Sequence, residues 1–231
     1  MTELLVWLYL LLAHLVADFM LQPYELVKLK SQPLGLAIHS GVHALITIII
    51  AGPVLPRWWL VIPLLTVAHY FVDRTKVESG FTTGPASFLA FLVDQVAHLG
   101  VLAGAVLVAG VPLDHAVKYA SAGLTAVVYY AVPYVAAMFA GAIVMYQIAV
   151  AFNTRGNPPD LLAPRLRITG MVERGLALTV VLFLQPALWW LGVVPYVAVL
   201  LADRQPAQQP GRWVEAASSL GLSVGLGLLF R

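Results

Sequence analysis

Long apolar runs separated by short polar segments form the dominant pattern along this chain. Most runs approach the ~20 residues that a helix needs to cross a bilayer, and proline, glycine or charged residues bound each one. They predict helices over residues 3–22, 34–55, 58–77, 86–110, 131–152, 171–185, 187–203 and 213–230. Segment 113–130 has two interpretations, an interfacial helix or the first part of a long helix bent at Pro133. The pattern predicts an all-α, polytopic transmembrane helix bundle of about eight helices.

The composition supports the same fold class. Hydrophobic residues make up 61% of the 231 residues and charged residues only 10%, and the mean hydropathy is +0.88. A soluble domain carries about 25% charged residues, so this composition excludes a soluble enzyme. Because the predicted loops are very short, we expect a single transmembrane domain over residues 1–231, in a multi-pass protein of the cell membrane. Residues 1–110 are its distinctive part, and residues 111–231 contain less distinctive helices.

Charge and cysteine content narrow the chemistry. The 13 Lys and Arg residues exceed the 11 Asp and Glu residues by only two, and this scattered excess excludes a nucleic-acid partner. The chain contains no cysteine, which excludes disulfides, thiolate metal sites and cysteine nucleophiles. Any metal ion must therefore be held by histidine and carboxylate side chains.

The basic residues are distributed unevenly between the two sides of the predicted bundle. With the N-terminus outside, the segments facing the cytoplasm contain Lys28, Lys30, Arg74, Lys76, Arg155, Arg165, Arg167, Arg174, Arg204 and Arg212. The outward segments contain only Arg57, Lys118 and Arg231. Because basic residues favour the cytoplasmic side, this bias of ten to three predicts an outside N-terminus.

Each of the first four predicted helices carries a pair of ligand-type residues four positions apart. The pairs are His14 and Asp18, His39 and His43, His69 and Asp73, and Asp94 and His98. Residues at this spacing share one helix face, so both side chains of a pair can point at one centre. In the predicted orientation all eight fall in the cytoplasmic half of the membrane. Ionisable groups at such depth are costly unless paired or bound, and they mark function.

The eight paired residues are predicted to be metal ligands. No Lys or Arg lies within these stretches to neutralise the carboxylates, so we expect a divalent cation there, with zinc preferred and iron and manganese open. Eight candidates exceed the four ligands of a structural zinc site, and a two-metal site with an open water position is plausible. The alternative is a His–Asp hydrogen-bond network that relays protons.

The residues around these pairs also resemble a known family. Residues 13–22 read A-H-L-V-A-D-F-M-L-Q and resemble the A-H-L-x-A-D-F-x-L-Q opening of a bacterial integral-membrane family of unassigned function. The resemblance continues through the His pair of residues 38–43, His-x-x-x-Asp at 69–73 and Asp-Gln-x-x-His at 94–98, and it weakens after residue 110. It implies a location in the bacterial inner membrane. The His/Asp boxes also look like those of membrane-bound metal-dependent hydrolases, which implies metal-assisted hydrolysis by analogy.

Three classes of function remain open. The first is a hydrolase that uses one or two divalent metals on a lipid-like or phosphorylated small substrate, with Asp18, Asp73 or Asp94 as a catalytic general base. The second is a divalent-metal transporter or proton-coupled permease, although the outer halves of the first four helices lack the polar residues that a transport path needs. The third, a di-iron oxidase or desaturase, requires richer His boxes than the single His-x-x-x-His found here.

Three further polar residues outside the pairs are also interpreted. Glu173 and Arg174 open a predicted helix at the cytoplasmic boundary and are interpreted as a helix-dipole carboxylate and a snorkelling Arg, with a lid or headgroup contact as the alternative. His115 is expected to be solvated on the outer side.

Cysteine labelling tests the predicted orientation. A cysteine at Ser31, in the otherwise cysteine-free chain, should stay protected from an impermeant thiol reagent added to intact cells, because the charge bias places this position inside. A cysteine replacing a residue of segment 51–56 should react. The opposite labelling pattern would reverse the orientation and move the His/Asp pairs to the outer half of the membrane.

Overall fold

The structure, a computed structural model, describes residues 2–22, 24–81, 84–110, 122–152, 164–202 and 210–231. Every element of regular secondary structure in these ranges is a helix, which confirms the all-α prediction. The chain divides into two compact units, Met1–Phe81 with Leu89–Val132, and Thr82–Phe88 with Pro133–Arg231. The single transmembrane domain over the whole chain stays a prediction.

The first unit contains the predicted His/Asp pairs. Its helices are α1 (Thr2–Leu15), α2 (Tyr24–Leu29), α3 (Pro33–Ile50), α4 (Trp58–Ser79) and, from Leu89 onward, α5 (Gly84–Ala109). Helix α3 packs against α1, α2 and α4 and is the central element of this group. The short helix α2 is absent from the sequence prediction, because six residues with two charges form no apolar run.

A π-turn extends α1 over Val16–Met20. In this turn the Leu21 N–H donates to the Val16 carbonyl oxygen at 3.0 Å, one residue farther along than in an α-helix. Asp18 lies inside the turn, so its carboxylate is carried by a widened backbone that residue spacing does not predict. His14 and Asp18 still meet, with 3.4 Å between Nε2 and Oδ2. Single π-turns within α-helices are frequent at functional sites.

The junction between α2 and α3 positions Lys30 next to the predicted His/Asp pairs of the first unit. Gln32 is extended because Pro33 follows it, and Pro33 then starts α3. Gly35 lets the two helices approach closely, since a side chain there would overlap the Leu29 backbone carbonyl group. This contact fixes the end of α2 and therefore the position of Lys30, the next residue in the chain.

The second unit begins within a long helical run. Helix α6 (Ala122–Val135) contains Pro133 and passes through a π-turn at Ala136–Ala140 into α7 (Gly141–Phe152). This continuous run favours the long-helix interpretation of segment 113–130 for its described part, and residues 111–121 lie outside the described ranges. The later elements are α8 (Pro164–Phe183), a 3₁₀ helix (Pro186–Val193), α9 (Val194–Ala202) and α10 (Pro210–Leu229). Helix α8 packs against both α10 and the 3₁₀ helix.

Within the ranges that the structure describes, four helical segments are long and apolar enough to cross a membrane. They are Glu3–Met20, Pro33–Ile50, Gly84–Ala109 and Gly123–Ala151. Helix α4 is not among these four, and its C-terminal part carries Asp73, Arg74, Lys76 and Glu78. The membrane character predicted from composition is thus supported, whereas the bundle of about eight transmembrane helices stays a prediction.

The interpretation of Arg174 as a snorkelling side chain is wrong. Arg174 is buried in the second unit, with 3% of its surface exposed. Its Nε donates to the Ala137 carbonyl oxygen at 2.7 Å, its Nη2 to the Met138 carbonyl oxygen at 3.3 Å, and its Nη1 to Ser219 Oγ at 3.3 Å. Both carbonyl groups belong to the π-turn, so the guanidinium stabilises an irregular stretch of helix backbone.

Replacing Arg174 should destabilise the second unit. In Arg174→Met the two π-turn carbonyls lose charged donors in a buried site, which we expect to cost roughly 2–4 kcal/mol. The measurement is thermal unfolding of the purified protein in detergent, followed by circular dichroism. Arg167→Met, which removes the same charge from a half-buried position on α8, is the matched control. Equal melting temperatures for the two variants would contradict this role.

Candidate metal centre

The five histidines of the predicted pairs converge in the first unit. His14, His39, His43, His69 and His98 come from α1, α3, α4 and α5, and each is at most 6% exposed. The His43 and His69 rings stack with 3.7 Å between centroids, and the His69 and His98 centroids lie 4.4 Å apart. The i,i+4 spacing places these side chains on the helix faces that meet, as the sequence predicts. His115, the sixth histidine, lies outside the described residues.

Asp18 is surrounded by imidazoles. Its Oδ1 lies 2.9 Å from His39 Nε2, 3.0 Å from His43 Nε2 and 4.0 Å from His69 Nε2. Its Oδ2 lies 3.4 Å from His14 Nε2. Among the described residues no Lys or Arg forms an ion pair with this carboxylate, which therefore depends on protons or on a bound cation to balance its charge.

Asp73 joins the cluster from α4. Its Oδ2 lies 3.4 Å from His39 Nε2 and 3.6 Å from His69 Nε2, and its Oδ1 lies 3.8 Å from His98 Nε2. These three separations exceed the usual length of a hydrogen bond. Ligand atoms about 2.0–2.1 Å from a tetrahedral zinc ion lie about 3.3–3.4 Å from one another. The separations between Asp73 and these three imidazoles are therefore closer to those of ligands around an ion than to those of a hydrogen-bond network.

Two lysines also reach the carboxylates. Lys30 Nζ lies 2.6 Å from Asp73 Oδ2, and Lys76 Nζ lies 2.7 Å from Asp94 Oδ2. The expectation that no basic residue neutralises these carboxylates is thus wrong for Asp73 and Asp94. The two lysines flank the predicted ligand stretches, Lys30 at the end of α2 and Lys76 three residues after Asp73. The spacing of Asp73 and Lys76 would pair these two residues with each other, yet Lys76 contacts Asp94 on α5, so neither lysine contact follows from spacing along the sequence.

The hydrogen bond of His98 defines which ring nitrogen faces the cluster. His98 Nδ1 lies 2.8 Å from the Asp94 backbone carbonyl oxygen, which can only accept, so Nδ1 carries the proton. A neutral ring then has a lone pair on Nε2, which is buried and has no hydrogen-bond partner in the described part of the chain. This lone pair faces a carboxylate oxygen of Asp73. A proton or a bound cation between these two buried acceptors would balance them.

Two groups of side chains have the geometry of a metal site. Asp18, His39, His43 and His69 form the first, and His69, Asp73 and His98 form the second, with ligand atoms in each group within 4.8 Å of one another. Of the eight predicted ligands, His14 and Asp94 belong to neither group. Asp94 instead contacts Lys76 and accepts from the Gln95 side-chain amide at 2.8 Å. The metal roles of the eight residues stay predictions.

A small cavity borders the cluster. Its volume is about 20 Å³, and its lining includes His14, His43, His69 and His98 together with Thr47 and Thr66. That volume suffices for about one water molecule, which would meet both imidazole and hydroxyl groups there. The histidine lining therefore leaves space for a small reactant next to the candidate ligands.

The comparisons with known proteins give a family but no activity. No curated protein and no solved structure matches the chain. The model of a family described as a protein of unknown function, DUF3307, matches residues 6–125, slightly more than half of the chain. This segment contains all eight residues of the predicted pairs and both lysines. The chain therefore belongs to the uncharacterised DUF3307 family.

Proposed function

We propose that this protein is an integral membrane hydrolase of the cell membrane, with a dinuclear metal centre built from its His/Asp cluster. The substrate is lipid-like or phosphorylated, and it reaches the centre from the inner leaflet. The four long apolar segments support the membrane location, and the excess of basic residues on one side supports the inner-leaflet orientation.

The observation that carries the proposal is the way the ligands divide around His69. Its Nε2 can bind only one ion at a time, so two ions would divide six residues into two sets of three. One set is Asp18, His39 and His43, and the other is His69, Asp73 and His98. Each set has two imidazoles and one carboxylate, which leaves an open coordination position, as in catalytic rather than structural zinc sites. Zinc is the first choice, and iron or manganese fits the same ligands.

The charges favour bound cations. Three carboxylates are buried in or beside the cluster, and among the described residues only Asp73 and Asp94 of these three contact ammonium groups. Asp18 faces only imidazoles among its described contacts, although a buried carboxylate is costly without a positive partner. A divalent ion between Asp18, His39 and His43 would supply this charge and would occupy the Nε2 atoms of both histidines.

In the proposed reaction the cluster's own residues move the proton. A divalent ion, when bound, activates a water molecule and polarises the bond that is cleaved. The water oxygen forms a bond to phosphorus or to an acyl carbon, and the bond from that atom to the leaving oxygen breaks. One water proton passes to a carboxylate and from there, through a neighbouring imidazole, to the leaving oxygen, so atoms and charge balance.

Asp18 is the strongest of the three candidate bases. Its Oδ2 lies 3.4 Å from His14 Nε2, outside both ligand sets, so a proton accepted there has a second acceptor beside the cavity. Asp73 Oδ2 is already in contact with Lys30, and Asp94 supports His98 through its backbone carbonyl group. The geometry therefore favours a relay from Asp18 to His14.

One observation favours the second candidate function, a proton-coupled permease or divalent-metal transporter. Lys30, Asp73, His39, Asp18 and His14 follow one another with neighbouring polar atoms 2.6–3.4 Å apart, and His39 Nε2 lies between the two carboxylates. Chains of titratable groups of this kind can relay protons. Ion or proton flux into vesicles that contain the purified protein, without any hydrolysis, would favour this function.

The metal content of substituted proteins tests the two ligand sets. Wild-type protein loaded with zinc should hold about two ions, and His43→Ala and His98→Ala should each lose about one of them, because each removes one ligand of a different set. Elemental analysis of the purified, detergent-solubilised protein gives the ratio. His115→Ala is the matched control and should keep the wild-type ratio. Full retention in both cluster variants would favour a hydrogen-bond network.

Asp73 and Asp94 should differ in their effect on metal content. Asp73→Ala removes a carboxylate from a ligand set and should lower the metal content. Asp94→Ala keeps the backbone carbonyl that orients His98 and should retain most of the metal. Equal losses in the two variants would make Asp94 a ligand, as the sequence predicts.

Catalysis and metal binding should separate at His14. His14→Gln should keep the metal content and lose about 10²-fold or more in hydrolysis of a panel of phosphoesters and lipid esters, because the proton relay is removed. Chelation should abolish turnover and leave the helical circular dichroism spectrum unchanged. Aggregation on chelation, without hydrolysis by the metal-loaded protein, would contradict the proposal and favour a structural ion.

A further inference from the structure

We propose that Lys30 and Lys76 make the loaded centre a receptor for a phosphoryl anion, so that the substrate carries a phosphate group at the bond that is cleaved. This inference rests on the proposed metal centre and selects the phosphorylated class from the substrates considered above. It is carried by the position of two ammonium groups at the edge of a buried cluster and by the charge that metal ions would add there.

Lys30 is held at this edge by backbone geometry as well as by charge. It directly follows α2, whose end packs on Gly35 of α3 so closely that a side chain at that position would overlap Leu29. Its Nζ lies 2.6 Å from Asp73 Oδ2 and 3.5 Å from Gln22 Oε1, and 14% of the side chain is exposed. The ammonium group thus contacts a member of one ligand set and also reaches the surface.

Lys76 approaches the cluster from α4. Its Nζ lies 2.7 Å from Asp94 Oδ2 and 5.2 Å from the centre of the Phe91 ring, a cation–π contact that holds the side chain toward α5. The Lys76 side chain is 36% exposed, whereas Asp94 is buried. Lys76 therefore lies between solvent and the Asp94 carboxylate, as Lys30 does for the Asp73 carboxylate.

The charge of the cluster changes sign when metal binds. Three aspartates and two lysines with neutral imidazoles carry a formal charge of −1, whereas one divalent ion makes the total +1 and two make it +3. A metal ion bound to Asp73 would also weaken the ion pair between that carboxylate and Lys30. The Lys30 ammonium group could then contact another anion. A buried positive centre attracts an anion more strongly than a neutral ester.

The surroundings of the site indicate that an anion would approach from the side of the two lysines. The cavity beside the histidines is also lined by apolar residues such as Leu65 and Leu102, which offer no positive charge to an anion. The lysine side borders exposed residues, including Ser31, Gln32 and Thr75. An anion arriving from that side meets an ammonium group before it meets the ions. Phosphate oxygens accept from lysine and bind divalent ions, so both contacts can form on one group.

Binding of inorganic phosphate to the metal-loaded, full-length protein tests this inference. Equilibrium dialysis with radiolabelled phosphate compares wild type with Lys30→Gln and Lys76→Gln, and elemental analysis of the same samples gives the metal content. Lys28→Gln, an exposed charge on α2 two residues before Lys30, is the matched control. We expect wild-type metal content throughout, about tenfold weaker phosphate binding in Lys30→Gln, and a smaller loss in Lys76→Gln.

The source of the phosphoryl group is distinguished by competition. Glycerol phosphate that displaces the labelled phosphate would indicate a soluble substrate, and phosphatidic acid in mixed micelles that does so at much lower concentration would indicate a lipid headgroup. Either result supports a phosphoryl receptor. Lys30→Arg keeps the charge and should keep phosphate binding, which separates loss of charge from misfolding in Lys30→Gln.

Two results would overturn the inference. The first is stoichiometric metal without phosphate binding, which would leave the proposed metal centre intact and remove only the phosphoryl substrate. The second is equal phosphate affinity in wild type, Lys30→Gln and Lys76→Gln, which would assign binding to the ions alone. A protein that holds no metal contradicts the proposed function itself, and the elemental analysis shows this before any phosphate is added.

Discussion

A carboxylate buried among apolar helices must have a positive partner, and the first unit is organised around this requirement. Asp73 and Asp94 contact Lys30 and Lys76, whereas Asp18 meets imidazole nitrogens. Each of these contacts joins different segments of the chain, so the same contacts that balance charge also bring α1, α3, α4 and α5 together. Because apolar packing in a membrane is weakly directional, polar contacts of this kind can decide which faces of the helices meet.

Much of this arrangement could be predicted from the sequence, because it depends on local periodicity. The apolar runs predicted most helix positions, and the spacing of four between His and Asp predicted that the paired side chains share a helix face. The convergence of five histidines follows from these two patterns. The approach of Lys30 to Asp73 does not, because it depends on the short helix α2 and on the space that Gly35 leaves for Leu29. Such contacts between distant segments leave no periodic signal.

The second unit also contains a contact between distant segments that the sequence does not predict. The predicted helix over residues 171–185 places Arg174 near its start, where a basic side chain typically reaches the membrane surface. In the structure α8 begins at Pro164, and Arg174 lies in mid-helix and is buried. The cause lies in a different helix, where the π-turn at Ala136–Ala140 contains carbonyl groups that accept from the guanidinium. Neither this π-turn nor the one that holds Asp18 follows from residue types, because a π-turn is set by the packing of its surroundings.

The membership of His69 in both ligand groups has a consequence for how the centre would respond to metal supply. A single ion can use Asp18, His39, His43 and His69 together, and such a four-coordinate site is closed. A second ion beside Asp73 and His98 would draw His69 away and open a position on the first ion. Binding of the second ion would then change the coordination of the first. At low metal concentration the protein would hold one ion in a closed, inactive site, and it would become reactive only when the concentration allows a second ion to bind. One shared imidazole would thus make the protein a sensor of the metal on which it depends.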